Sequence, residues 1–189
     1  MDNPRWPDEE LVQRFRNGDT EAFETLLDRY SRPIYNFAYR MLSNSADAED
    51  ASQQTFIQTF ESLPKARTDA PFRPWLFQVA RNKCIDMIRR RRTVPLTINQ
   101  GSDEDPIDID PPDPRPRPDE LYEHAELQAF LQEAIDDLPL RTREVVLMRY
   151  VGELTFAEIG AALGVPENTA KTLVQRANPL LRTSIRKHF

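Results

Sequence analysis

Apolar side chains recur at steps of three, four and seven residues along most of the chain. This spacing places them on one face of an α-helix, so the pattern predicts a series of amphipathic helices. The predicted helices span Asp8 to Arg16, about Thr20 to Met41, Asp47 to Leu63, Phe72 to Arg90, Asp119 to Leu138 and about Thr142 to Tyr150. A further pair follows near the C-terminus, and the chain is expected to be all-α.

The segment from Val94 to Pro118 interrupts this pattern with seven prolines, many acids and few apolar residues. Such a segment cannot bury enough apolar surface to fold alone, so we expect a stiff, extended, acidic linker. The sequence therefore predicts two small helical domains, a helical bundle over residues 1–93 and a C-terminal domain over residues 119–189. An acidic Pro-rich linker over residues 94–118 joins them.

The most clearly specified structure is a pair of short helices near the C-terminus. Thr155 can cap the first helix, and Glu158, three residues on, can return the bond, which makes a capping box. Gly164 can end that helix in the left-handed conformation, and Pro166 suits the start of the next. Gly160 lets the two helices approach closely. This order predicts a helix-turn-helix.

The second helix of this pair carries a polar face. Ala170 and Val174 are four residues apart and are expected to face the first helix. The outward set comprises Asn168, Thr169, Lys171, Thr172, Gln175 and Arg176. These side chains suit the base edges and phosphates of DNA. The alternative is an ordinary helical hairpin with a solvated polar face.

A polar stripe marks the third predicted helix, which opens with acidic residues that favour the positive end of the helix dipole. Asp47, Asp50 and Gln54 share this stripe at spacings of three and four, and Gln53 lies beside it. A stripe of this kind is either a solvated face or a binding surface.

The fourth predicted helix is basic and ends in a run of four arginines. Phe72 and Trp75 lie at its start, where their rings could offer planes on which unpaired bases stack. The basic side chains could track a phosphate backbone. Taken alone, the arginine run could equally be a solvated helix end or an anchor for the linker, and Trp75 could belong to the core.

The net charge of −6 argues only weakly against a nucleic-acid partner, because basic residues are concentrated and many acids lie in the linker. Cys84, the single cysteine, excludes an internal disulfide and is expected to be an inert buried thiol. No apolar run approaches the ~20 residues that span a bilayer, and the N-terminus lacks a signal-peptide core. A cytoplasmic protein without membrane insertion is expected.

Three motifs occur together in one order. They are DAEDASQQTFIQTFESL at Asp47 to Leu63, PFRPWLFQVARNKCIDMIRRRR at Pro71 to Arg92, and LPLRTREVVLMRYVGELTFAEIGAALGVPENTAKTLVQRA from Leu138. Together they resemble a bacterial sigma factor of the extracytoplasmic-function group. The resemblance implies a non-catalytic subunit that joins core RNA polymerase, directs it to a promoter and helps to open the duplex.

The resemblance also implies a role for each candidate surface. The stripe of Asp47, Asp50, Gln53 and Gln54 would dock on core polymerase, although Gln54 stands where the family more often has an acid. The minus-ten promoter element would be bound by Trp75, Arg81, Asn82, Lys83, Arg89, Arg90, Arg91 and Arg92. The minus-thirty-five element would be read by the outward set of the helix-turn-helix.

The helix-turn-helix departs from the family pattern at two places. Leu173 occupies a position where the family commonly has arginine, and Asn178-Pro179 is expected to interrupt a basic helical continuation. These departures predict weaker or differently specified upstream recognition. The resemblance further implies that an anti-sigma factor is a possible partner, and that the acidic linker either threads the RNA exit path of polymerase or is a solvated spacer.

Two other functions compete with this interpretation. A stand-alone two-domain helix-turn-helix regulator would bind duplex DNA stably without polymerase, whereas a sigma factor should bind promoters well only with core enzyme. An adaptor or enzyme is poorly supported, because His124 and His188 are far apart in sequence and there is no metal-ligand cluster, phosphate loop or nucleophile arrangement. No cofactor, metal or catalytic residue is therefore expected.

Overall fold

The computed structural model describes residues 6–65, 71–93 and 118–186, with side chains described for residues 6–65, 71–91 and 127–184. Within these ranges the regular secondary structure is helical throughout, and the all-α prediction is confirmed. The predicted linker lies outside the described residues except for Pro118. The helices are α1 (Asp8–Arg16), α2 (Thr20–Leu42), α3 (Ser45–Ser62), α4 (Phe72–Thr93), α5 (Pro118–Asp136), α6 (Leu140–Tyr150), α7 (Phe156–Leu163) and α8 (Glu167–Arg186).

Helices α1, α3 and α4 pack around α2, whose apolar face supplies much of the core that they share. Phe37 of α2 is fully buried and meets Phe77 of α4 edge to face, with ring centroids 5.5 Å apart. Helix α1 is held to α2 by Asp8, whose carboxylate accepts hydrogen bonds from Tyr30 and Arg29. Burial raises the pKa of Tyr30, which keeps its hydroxyl a donor.

Helix α3 begins two residues earlier than its acidic side chains predict. The side chain of Asn44 accepts a hydrogen bond from the backbone N–H of Asp47 at 2.8 Å, so Asn44 is the N-cap and the helix starts at Ser45. Its buried face also carries three hydroxyl residues, Ser52, Thr55 and Thr59. Each hydroxyl donates to a carbonyl four residues back at 2.7–2.8 Å, which satisfies it within the helix.

The helix-turn-helix has the predicted geometry. Thr155 and Glu158 form a complete capping box at the start of α7. Gly164 ends that helix with a left-handed φ of 65°. A Cβ atom at Gly160 would lie 2.7 Å from the backbone oxygen of Val165, so only glycine permits this approach of α7 to the turn. The prediction of a tight helix-turn-helix is therefore confirmed.

The expected interruption at Asn178-Pro179 is wrong, because α8 continues through Pro179 to Arg186. A proline inside a helix removes one backbone donor and disfavours the helix locally. Here the apolar side of α8 compensates, since Ala170, Val174 and Ala177 are all buried in the core. Helix α4 also extends beyond its predicted end, to Thr93.

The two groups of helices, α1–α4 and α5–α8, pack against each other rather than standing apart. Helix α2 contacts α5 and α6, and α4 contacts α7. Buried residues of both groups belong to one continuous hydrophobic cluster. A Cβ atom at Gly152, which follows α6, would lie 3.3 Å from the ring of Phe77 in α4. This contact between the two groups has no signal in the helical pattern of the chain.

Candidate nucleic-acid interface

The polar stripe of α3 lies on the surface. Asp50 and Gln53 are exposed, and Gln54 is half-buried. The side-chain amide of Gln54 donates to the Asp50 carboxylate at 2.8 Å, which fixes both side chains on the helix face. Asp47 differs, because its carboxylate pairs with Arg91 of α4. The structure therefore brings three of the four stripe residues to an open face and engages the fourth within the molecule.

Two large apolar side chains extend this face along α3. Ile57 is 59% exposed and Phe60 is 47% exposed, although both are apolar. The ring of Phe60 also packs on Phe15 and Phe23, with centroids 5.2 and 5.1 Å away. Because Ile57 follows Gln53 and Gln54 at helical spacing, the exposed face combines carboxylate, amide and apolar groups.

An open cavity of about 600 Å³ lies between the end of α3 and the start of α4. Its walls are mostly polar and are formed by Gln58, Glu61, Ser62, Lys65, Trp75, Gln78, Val79 and Asn82. A space of this size, with one aromatic wall and several amide groups, can hold a planar, hydrogen-bonding ligand such as a nucleobase.

The two aromatic residues at the start of α4 have different environments. Phe72 is 5% exposed and packs against Tyr30 with ring centroids 5.6 Å apart, so its predicted role as a stacking plane is wrong. It is a core residue because the first turn of α4 lies against α2. Trp75 is half-buried, packs partly on the core and lines the cavity. Packing on the core therefore holds the Trp75 ring in place, while part of the side chain stays accessible from the cavity.

The central polar residues of α4 are not equally accessible. Asn82 is exposed and Lys83 is half-buried. Arg81 is half-buried, and one of its terminal nitrogens donates to both carboxylate oxygens of Glu144 at 3.0 Å. Glu144 belongs to α6 and its side chain is only 3% exposed. The predicted phosphate contact by Arg81 therefore faces an internal competitor.

The arginines at the end of α4 also differ in their environments. Arg89 and Arg90 are exposed on the surface of the helix. Arg91 instead pairs with Asp47 and donates to the backbone oxygen of Leu42 at 3.3 Å, at the end of α2. The side chain of Arg92 lies outside the described residues. Arg91 thus connects three helices, a contact that the sequence pattern does not indicate.

The outward face of α8 has the predicted accessibility. Asn168, Thr169, Lys171, Gln175 and Arg176 are exposed. The sixth member, Thr172, is half-buried and its hydroxyl donates to the backbone oxygen at position 168 at 2.7 Å. The inward positions 170 and 174 are buried, as the spacing predicts. The residue at 173 is half-buried and packs on the core, so it adds no group to the polar face.

Comparisons with known proteins identify the family of this chain. The family model for Sigma-70 region 2 matches residues 26–94, and the model for Sigma-70, region 4 matches residues 131–177. The chain is 30% identical over 186 residues to the ECF RNA polymerase sigma factor SigW of Bacillus subtilis, covering 93% of this chain and 95% of SigW. It is 31% identical to the RNA polymerase sigma factor CarQ of Myxococcus xanthus, covering 90% of this chain and 93% of CarQ.

The chain belongs to the ECF sigma factors. As an RNA polymerase sigma factor, it acts in promoter-specific initiation of transcription. The region 2 match contains the α3 stripe, the cavity and all of α4, and the region 4 match contains α7 and the outward face of α8. The two candidate DNA-binding surfaces of this sigma factor therefore lie in separate matched regions.

Solved structures share the fold of this sigma factor across most of its length. One is CnrH in complex with the cytosolic domain of CnrY, with a TM-score of 0.70, 22% identity, and coverage of 95% of this chain and 97% of CnrH. Another is the sigma factor RpoE in complex with the anti-sigma factor NepR from Bartonella quintana, with a TM-score of 0.67, 20% identity, and coverage of 87% and 96%. At these identities the likeness shows the fold alone.

Some features of the sigma factor surface have no sequence signal. Glu144 lies among apolar residues of α6, where its spacing suggests nothing more than a helical acid. Gln78 donates to the backbone oxygen of Ala162 in α7 at 2.8 Å, and only the packed structure shows this bond. The buried position of Cys84 is as expected, and burial raises its pKa to about 12.

The described residues contain no group of three or more histidine, cysteine, aspartate or glutamate side chains that could hold a metal ion. None of the described helices combines the length and apolar character that a bilayer crossing requires.

Proposed function

We propose that the exposed stripe of α3 is the surface by which this sigma factor docks on core RNA polymerase. The proposal is supported by the accessible carboxylate of Asp50 and the amides of Gln53 and Gln54, which are held in place by hydrogen bonds along the helix. The exposed side chain of Ile57 extends the same face with apolar area. Asp47 takes part through its pairing with Arg91, which orients the start of α3.

The second part of the proposal concerns promoter opening. Trp75 and Asn82 border the cavity next to α3, where an unpaired base of the minus-ten element would be held. Arg81, Lys83 and the arginines at positions 89–92 supply positive charge for the phosphates beside it. Stacking and pocket contacts then offset the few kcal/mol that extruding a base costs. The cavity beside an aromatic side chain is the observation that carries this assignment.

The third part concerns the minus-thirty-five element, which the outward face of α8 would read. Lys171 and Arg176 provide the charged contacts, and the neighbouring amide and hydroxyl side chains provide hydrogen bonds to bases and phosphates. Because Leu173 packs inward, this face has one charged group fewer than an arginine there would supply. Weaker upstream recognition therefore remains the expectation, on the ground of Leu173 alone.

In this proposal the protein is a non-catalytic cytoplasmic subunit. Region 2 covers residues 1–93, a linker covers residues 94–118 and region 4 covers residues 119–189. An anti-sigma factor is proposed as a further partner, because a sigma factor of the same fold, RpoE, was solved in complex with one.

Reconstitution with core RNA polymerase tests the docking surface. Asp50→Lys should weaken core binding by about tenfold or more, because it replaces an exposed carboxylate at the centre of the stripe with the opposite charge. Asp28→Lys is the matched control, since Asp28 is an exposed acid on α2 outside the stripe. Binding is measured by fluorescence titration, and promoter-dependent transcription from a genomic library reports activity. Equal binding by both variants would place the docking surface elsewhere.

A further inference from the structure

The side of α4 that carries Arg81 is covered by the C-terminal helices. Three contacts follow one another along it. Arg73 pairs with Glu153 at 2.7 Å, Gln78 donates to the backbone oxygen of Ala162 at 2.8 Å, and Arg81 binds Glu144. Gln78 also lines the cavity next to Trp75. The covering helices therefore touch the same part of α4 that is proposed to bind the minus-ten element.

The contact between Arg81 and Glu144 resembles a protein–phosphate contact in its chemistry. Both carboxylate oxygens of Glu144 accept from the same guanidinium nitrogen at 3.0 Å. Carboxylate and phosphate groups present paired oxygens to arginine in much the same way. With Glu144 buried to 3% side-chain exposure, its charge is available to Arg81 and to little else. A DNA phosphate and Glu144 would compete for one guanidinium group.

Hydrogen bonding at the interface between the two helical groups is incomplete among the described residues. Within the described residues, three buried side-chain N–H groups have no hydrogen-bond partner, the Nε atoms of Arg73, Arg81 and Arg143. All three arginines lie between the groups, since Arg143 of α6 donates to the backbone oxygen of Met41 in α2 at 3.3 Å. A buried donor without a partner favours separation, because opening returns it to water. The two helical groups can therefore separate from each other.

We propose that this sigma factor is self-inhibited without polymerase, with Glu144 acting as an internal phosphate mimic on Arg81. In the closed state the C-terminal helices block the α4 face, and that face can grip promoter DNA only after the contact has opened. The proposal rests on the function assigned above to α4. The closed state blocks only one of the two proposed DNA-binding surfaces, because the outward face of α8, including Lys171 and Arg176, stays exposed.

Fluorescence resonance energy transfer between two dyes on the full chain measures how closely the two helical groups approach each other. Glu24→Cys on α2 and Arg182→Cys on α8 place dyes at exposed positions, one on each helical group. Cys84 stays unlabelled because it is buried. In this background Glu144→Gln keeps the size of the side chain and removes its charge, so transfer efficiency should fall. Glu133→Gln, the same substitution at an exposed position of α5, should leave the efficiency unchanged.

The functional readout is binding of the chain, without polymerase, to a fluorescein-labelled single-stranded oligonucleotide of mixed sequence. Glu144→Gln should tighten this binding by about tenfold, since affinity rises in proportion to the open fraction. Glu133→Gln should bind like the wild type. If Glu144→Gln does not fold by circular dichroism, Arg81→Gln breaks the same contact from the less buried side and must lower the transfer efficiency.

A charge exchange separates closure from DNA binding. The double variant Arg81→Glu with Glu144→Arg should restore high transfer efficiency and should not restore tight single-strand binding, because α4 then carries an acid. Unchanged transfer and unchanged affinity in Glu144→Gln would overturn the proposal, and so would lower transfer without tighter DNA binding. Failure of the proposed function of α4 is distinguishable, because Asn82→Ala, made in the Glu144→Gln background, would then leave single-strand binding unchanged, whatever the dyes report.

Discussion

The contact between α7 and the turn that follows it can be tested by adding a single methyl group. At Gly160 a Cβ atom would lie 2.7 Å from the backbone oxygen of Val165 and 3.3 Å from the backbone nitrogen of Glu167. Both neighbours belong to the main chain, so neither can rotate away as a flexible side chain would. Gly160→Ala therefore forces the turn or the start of α8 to move.

Two effects of opposite sign determine the change in the free energy of unfolding. Alanine is favoured over glycine inside a helix by about 1 kcal/mol. Overpacking against atoms that cannot relax costs about 1–3 kcal/mol, and the 2.7 Å approach to a backbone oxygen favours the upper part of that range. Gly160→Ala should thus destabilise the chain by about 1–2 kcal/mol. For a chain of this length, that corresponds to a fall in Tm of about 2–8 °C.

Thermal and urea denaturation followed by circular dichroism measure this change. The matched control is Ala161→Gly, because Ala161 is the exposed next residue of the same helix and reports the intrinsic preference without the contact. It should destabilise by about 1 kcal/mol. If Gly160→Ala instead stabilised the chain by as much as Ala161→Gly destabilised it, the close approach would have no energetic consequence and the reasoning would be refuted.

Three further predictions concern single side chains. Thr155→Ala removes the capping box and should lower the free energy of unfolding by about 1 kcal/mol, whereas Thr155→Ser should retain most of it in the same urea titration. Because burial raises the pKa of Cys84 to about 12, its thiolate is scarce at mildly alkaline pH, and a disulfide reagent should react with it only after denaturant is added. Lys171→Ala should reduce the salt dependence of holoenzyme binding to duplex promoter DNA by about one unit of log–log slope, and an unchanged slope would exclude a phosphate contact by this residue.

Local structure was predictable where the determinants are close in sequence. The capping box of α7 needs two residues three apart, and the left-handed end of that helix needs a glycine. The buried positions of α8 also follow from spacing alone, since Ala170 and Val174 lie one turn apart. The continuation of α8 through Pro179 was not predictable in this way, because it depends on the core that the helix packs against.

The environment of the α4 side chains was only partly predictable. Helical spacing indicates which residues of a basic helix share a face, but it does not indicate what covers that face. Phe72 and Trp75 are both aromatic and three residues apart, yet one is buried against α2 and the other borders a cavity. The same holds for Arg81 and Arg91, whose partners Glu144 and Asp47 lie far away in the chain.

Under the function proposed for α4, its arginines explain why a surface that binds DNA also tends to bind its own chain. A guanidinium group that awaits a phosphate must be held in position and left short of its full set of hydrogen bonds, or no binding energy remains for the nucleic acid. Such a group attracts any carboxylate that the fold can bring near it. Arg81 meets Glu144 and still has an unsatisfied Nε atom, so the internal partner holds the site without saturating it. A stronger internal contact would lock α4 closed, and a weaker one would leave α4 open to non-specific DNA.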